Sequence, residues 1–304
     1  MTLAERPART MYNYTAFGLA ISSEMPIPEL MESAGDPDVI VRVGKVDRGV
    51  RPDAVTEGRQ FWATGEECCV FEDQIATFHV RGGREITVDP APDVGERILR
   101  SYLLGPAFSA LLYQRGKLML HGSAVAIKGG VVAFFGGPGW GKSTTAAAFH
   151  ARGHAAVSDD ELVIEFREDG VMVLPAFPQM KLWPDAVNAV GADPASLPRL
   201  MEGFDKRVRK VTKGFSSATL PFRRAYVLGE GPVQRIVRLS QREAVMELVK
   251  HSLGTRLLAA GGRDRHFLQC AEIARRVPVS RLERLRSLDE FDDLVKLVED
   301  DIDS

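Results

Sequence analysis

Eight residues, Gly136-Gly-Pro-Gly-Trp-Gly-Lys-Ser143, satisfy the spacing G-x-x-x-x-G-K-[ST], in which backbone N–H groups of a glycine-rich loop converge on phosphate oxygens. In that pattern Gly137, Pro138, Gly139, Trp140 and Gly141 shape the cradle and Thr144 enters the following helix. Lys142 reaches the β- and γ-phosphates, and the Ser143 hydroxyl ligates Mg2+. The stretch reads as a nucleotide grip, with ATP and Mg2+ as the expected ligands. Trp140 fills a free position of the pattern and is expected at the rim or in packing rather than as a platform for the base.

Holding a nucleotide is not the same as using it. Asp159 and Asp160 follow Lys142 by 17 and 18 residues, at the tip of the next expected strand, which puts two carboxylates beside the loop after a single helical crossover. One can help hold the metal while the other accepts a proton from an incoming hydroxyl, the division that phosphoryl transfer requires. The plain alternative for "SDD" is a strand-ending turn or a helix cap.

The densest basic cluster is Lys206, Arg207, Arg209 and Lys210. Such runs are usually solvated faces, but transfer needs cations near the γ-phosphate, and a guanidinium suits a substrate carboxylate. Lys206 and Arg207 are the first candidates. Lys181 and Trp183 are candidates for the acceptor side, with core packing the commoner role for Trp183. His121 sits in the apolar run "LMLHGSA", where a lone histidine is ordinarily a core residue, although Gly122 beside it permits close backbone approach. His150 and His154 are four apart, but Gly153 ends the helix between them, which speaks against a shared metal site.

The elements that must position these groups follow from periodicity. "KLMLHGSAVAI" and "VVAFF" are apolar runs joined by Lys128-Gly129-Gly130, a tight hairpin feeding the loop. "KSTTAAAFHAR" is a helix stopped by Gly153, and "HAAVS" is a short strand ending at the acidic doublet. "DELVIEF" and "VMVLPAF" form a strand pair turning at Glu168-Asp169-Gly170; "PFRRAYVLGE", "QRIVRLS" and 277–285 read as further strands. Ser240-Gln-Arg-Glu243 and Ser287-Leu-Asp-Glu290 are capping boxes opening two C-terminal helices. Upstream, residues 94–115 carry helical spacing broken at Gly105-Pro106, where a kink or split is expected. Short period-two runs between Tyr12 and Asp89 predict a mostly β module over residues 1–92, an accessory or substrate-recognition unit, with the catalytic domain over 93–304.

The chain has 304 residues, 45% hydrophobic and 26% charged, and a formal net charge of −2, so no global attraction draws it to nucleic acid or an anionic membrane. No signal-like or bilayer-length apolar run is evident, and a cytoplasmic protein is expected. Cys68, Cys69 and Cys270 lack paired metal-ligand spacing and are read as reduced and structural.

The ordered series from "LMLHGSA" through the phosphate loop and "RGH" to the Asp-Asp pair resembles the catalytic core of the HPr kinase/phosphorylase family. The resemblance implies an α+β or α/β fold like that of phosphoenolpyruvate carboxykinase, a mixed sheet with flanking helices. It implies a serine kinase with His121 near the transferring phosphate, Lys142 and Ser143 on ATP and Mg2+, Asp159 as catalytic base and Asp160 in support at the metal. The later acidic loop of that family has no glutamate in the corresponding "PAFPQMKLWPD", so the reverse, phosphorylase reaction is not implied. "KLWPD", "GFDKRVRK" and "YTAFGLAISSEMPIPEL" are similar to the HPr kinase-like lasso-peptide precursor kinases, which implies a peptide or small-protein partner with an acceptor serine, at the C-terminus in that group. A small-molecule alcohol kinase and an ATP-binding regulatory protein without transferase activity are the alternatives. The oligomeric state stays open, a homo-oligomer included.

Overall fold

The computed structural model describes residues 10–51, 54–56, 61–201, 203–285 and 291–303. The chain is a mixed α+β structure. Its N-terminal sheet has nine strands in the order Met31–Glu32, Tyr12–Ala16, Leu19–Ser23, Val39–Val43, Glu85–Pro90, Ala76–Arg81, Glu67–Glu72, Phe61–Ala63, Val55–Thr56. Alternation drives it: Val39 and Val41, or Phe78 and Val80, are buried, while Ile40, Arg42, His79 and Arg81 are partly or fully exposed.

That inner face meets the helices Glu96–Tyr102 and Phe108–Gln114, and one apolar cluster joins Phe17, Phe78 and Val88 to Leu103, Phe108 and Leu111. Val163, Leu174 and Phe177 from beyond those helices belong to the same cluster, so apolar packing runs straight across the boundary expected at residue 92. Between the two helices the chain makes a π-helical turn, Leu103–Ala107, with Pro106 inside it. Proline has no N–H to give and its ring forbids the normal i−4 bond, so the expected break takes the form of a widened turn.

The second sheet has eight strands. Gly130–Phe135, Leu118–Ile127, Glu161–Arg167, Gly170–Leu174, Leu220–Glu230, Val279–Arg284 and Arg235–Arg238 follow in order, and Ala155–Ser158 adds to Leu118–Ile127. Gly130–Phe135 also pairs parallel with Leu220–Glu230, which curls the sheet back on itself. One face of the hairpin packs Leu120, Ala124, Ala133 and Phe135 with the helices Gln241–Lys250 and Arg263–Arg276; the other packs Val125, Val132 and Phe134 under the helix Lys142–Ala151. The two-residue connection Lys128-Gly129, both with positive φ, matches the hairpin turn read from sequence. Ser240 and Glu243 form the expected capping box, whereas Ser287 to Glu290 lie outside the described residues.

A small third sheet, Gln179–Leu182, Phe204–Lys210 and Arg199–Met201, stands over the phosphate loop. The three cysteines are free and buried, and burial pushes the thiols of Cys68 and Cys69 up to about 12. Among the described residues no helix is long and apolar enough to cross a membrane.

Candidate active site

The glycine-rich loop leaves the hairpin at Phe135 and turns into the helix Lys142–Ala151. Gly139 and Gly141 have φ of 76° and 81°, a left-handed conformation costly to any residue with a Cβ, and Gly141 is the N-cap of the helix. The Trp140 N–H donates to the Gly137 carbonyl at 3.2 Å, closing the turn. Lys142 is nearly buried, and its ammonium donates to the carbonyls of Gly136 and Gly137 at 3.0 and 3.3 Å, lying across the mouth of the loop. Burial holds its pKa below the ordinary lysine value, with nearby Lys206 adding to the effect and Asp160 and Asp159 opposing it.

The acidic doublet leaves the strand Ala155–Ser158, and Asp160 takes a φ of 72°. Asp159 is buried: the Ser123 hydroxyl donates to its Oδ1 at 2.6 Å and the Lys181 backbone N–H to its Oδ2 at 2.7 Å. Burial, and after it the charge of Asp160, pushes its pKa up, while Lys181, Ser123 and the hydroxyl of Ser143 pull it down. Asp160 is the carboxylate that lines the cleft, with the Lys181 ammonium 3.2 Å away. Burial would raise it, but Lys181, Lys206 and His121 outweigh burial and hold it below the usual range. Of the two carboxylates Asp160 lines the cleft, and Asp159 lies buried beside Ser143.

The cleft holds about 460 Å³ and is lined by the loop from Pro138 to Thr144 together with His121, Asp160, Lys181, Trp183, Lys206 and Arg284, among others. His121 holds its place through Nδ1, 3.0 Å from the Asp160 carbonyl, and burial followed by the charge of Lys142 lowers its pKa against the pull of Asp160. Gly137 is not among the lining residues, but its carbonyl accepts from both Trp140 and Lys142, which are. Lys206 and Arg207 separate, because successive strand residues face opposite ways. Lys206 enters the cleft; Arg207 points to the other face of its strand, 3.0 Å from Asp205, and is not among the residues lining the cleft.

Trp183 is not in the core. It is 40% exposed and stands 5.3 Å from the Phe204 ring at the cleft rim, with the Lys206 ammonium 6.0 Å above it. Trp140 packs partly against the core below the helix and also lines the cleft. Sequence reasoning did not single out Arg284. It ends the strand Val279–Arg284, donates to the Trp140 carbonyl at 2.7 Å and lies 5.7 Å from the Phe291 ring. The signal was a strand-ending arginine, but the parallel pairing that brings it to the loop joins strands some fifty residues apart and leaves no local trace.

No family model matches the chain, and no curated protein matches it. Among solved structures it is similar to the Hpr(Ser) kinase/phosphatase from Coxiella burnetii, with 12% identity and a TM-score of 0.35 over 60% of this chain and 89% of that one. At that level of likeness the site itself has to carry a functional reading.

Proposed function

We propose that the chain is an ATP- and Mg2+-dependent phosphotransferase that moves the γ-phosphoryl group to an alcohol, a serine hydroxyl of a peptide or small protein. The observation that carries the reading is that Lys142 and Asp160 line one cleft, a phosphate grip and a carboxylate whose pKa is held below the usual range.

In this reading the roles divide by access. Asp160 accepts the proton of the docked hydroxyl as its oxygen bonds to phosphorus, the bridging bond to the β-phosphate breaks, and ADP departs. Lys142, Lys206 and Arg284 face the charge that builds on the phosphoryl oxygens. Asp159 and the Ser143 hydroxyl form a pair of hard oxygen donors, and a carboxylate pushed up by burial beside a like charge is one that a divalent cation would return to its charged form. When bound, Mg2+ would be held by these two with nucleotide phosphate oxygens and would neutralise charge on the β- and γ-phosphates.

The test separates the two carboxylates. With serine peptides, small alcohols and a precursor-like peptide ending in serine as acceptors, Asp160→Asn keeps ADP affinity and loses turnover by roughly 10²–10⁴-fold at any Mg2+ concentration. Asp159→Asn instead raises the Mg2+ concentration needed for half-maximal rate. Wild-type turnover in Asp160→Asn would return the base to Asp159, and ADP affinity unchanged in Lys142→Ala would leave the loop without its role.

A further inference from the structure

The active-site cleft does not end at Lys181. On the far side of that side chain a second cavity of about 350 Å³ opens, within the size range of small-ligand pockets. Both cavities lie on one face of the small sheet. The register sets Lys181 opposite Val208 and Gln179 opposite Lys210, and alternation puts Lys206, Val208 and Lys210 on the same side. Lys206 lines the first cavity, Val208 and Lys210 line the second, and Lys181 lines both. The chain after the doublet does likewise, with Asp160 in the first cavity and Glu161 in the second.

The second cavity has a defined chemistry. Leu104, on the π-helical turn, and Phe177, Leu197 and Leu200 give it an apolar wall. Its charges are unevenly matched, with Arg97, Arg100, Lys181 and Lys210 against Glu29 and Glu161, and burial pushes Glu161 up to about 7. Arg100 is held by Glu29 and Glu96, and Lys181 by Asp160. Arg97 donates to the Arg199 carbonyl at 2.8 Å, and among the described residues no carboxylate pairs with Arg97 or Lys210. The second cavity thus sets an apolar wall beside two cations and meets the transfer cleft at Lys181.

We propose that this second cavity seats the acceptor: an apolar residue beside the acceptor hydroxyl lies against Leu104 and Phe177, and a carboxylate beyond it meets Lys210 and Arg97. The proposal rests on the kinase reading above. Lys210 lies two residues beyond Val208, the partner of Lys181, or roughly 7 Å along the strand. The recognised carboxylate therefore lies about two residues from the hydroxyl in an extended chain.

The test uses the full chain, five-residue peptides containing Ser and Leu, and phosphate transfer from ATP, with ADP affinity measured in parallel. Peptides carry Asp two residues from the serine on either side, Asn in its place, or a free chain end at that distance with its amide as control. An acidic peptide is expected to show a KM lower by about tenfold than its neutral twin. Lys210→Glu, at an exposed position, abolishes that difference, and Val208→Trp raises KM for both peptides while ADP affinity holds. Equal KM for acidic and neutral peptides, or transfer indifferent to both substitutions, overturns the acceptor seat while leaving the kinase reading intact. Transfer to small alcohols but to no peptide overturns it as well, and a chain that binds no ADP removes the kinase reading first.

Discussion

Lys181 grips both carboxylates of the doublet: its backbone N–H donates to Asp159 at 2.7 Å and its ammonium lies 3.2 Å from Asp160. The first contact is fixed by the strand Gln179–Leu182 and the second by the side chain alone, so substitution at one position separates them.

Lys181→Met keeps the main-chain bond to Asp159 and removes the cation that does most to hold the Asp160 pKa down. With that cation gone the Asp160 pKa rises. A base with a raised pKa is protonated at higher pH, so the acid limb of the rate against pH moves upward. The pH profile of kcat checks this; a limb that stays in place means that Asp160 does not set it.

Gly141→Ala tests the loop. A Cβ at φ 81° costs roughly 1–2 kcal/mol and would stand 2.7 Å from the Arg284 guanidinium that holds the Trp140 carbonyl. Gly153, with φ 98° and nothing within 4 Å, is the matched control, since its alanine variant suffers backbone strain alone. Both variants should melt earlier, and only Gly141→Ala should lose ADP affinity, by about tenfold or more. Equal affinities in the two would mean that Arg284 does not fix the loop.

The contrast between what could be read in advance and what could not is physical. Gly136 to Ser143, the Lys128-Gly129 turn and the Ser240 capping box are local, and short-range chemistry decides them. Facing is different: alternation says that Lys206 and Arg207 look opposite ways, but which of them looks into the cleft depends on the register of the small sheet, and which of Asp159 and Asp160 lines it depends on a turn with one left-handed residue. Trp183 was misjudged for the same reason. An aromatic side chain ordinarily packs inside, but here Pro184 starts a helix immediately after it and leaves the ring at the rim. The second cavity draws on the N-terminal module, the π-helical turn and the small sheet together, and no stretch of sequence contains it.

Gly122 lies on the strand that carries His121, and a Cβ there would sit 2.7 Å from the Phe135 ring and 3.0 Å from the Phe134 carbonyl oxygen. Neither neighbour can yield, since both phenylalanines are fully buried on the hairpin partner. Gly122→Ala is expected to cost about 1–3 kcal/mol in urea unfolding. A change within about 0.5 kcal/mol, as at an ordinary surface position, would show that the hairpin accommodates the methyl group by moving.

His251 supplies a stability prediction with a defined sign. Its ring is buried and stacked on Phe135 at 5.9 Å, its carbonyl accepts the His121 N–H at 2.6 Å, and its Nε2 stands 3.5 Å from Glu247 with no hydrogen bond among the described residues. Burial outweighs the pull of Glu247 and brings the imidazole down from 6.5 to about 4. Between those values the unfolded chain takes up a proton that the folded chain refuses, so stability falls as pH falls through this window and is intact above it. From pH 7.5 to pH 5 the loss from this group is about 2 kcal/mol. His251→Phe keeps an aromatic ring on Phe135 without a titrating nitrogen, so urea unfolding should show wild type losing about 2 kcal/mol more than the variant over that interval. Equal losses in the two proteins would mean that His251 titrates in the folded state as it does in the unfolded one, and that the ring is open to water.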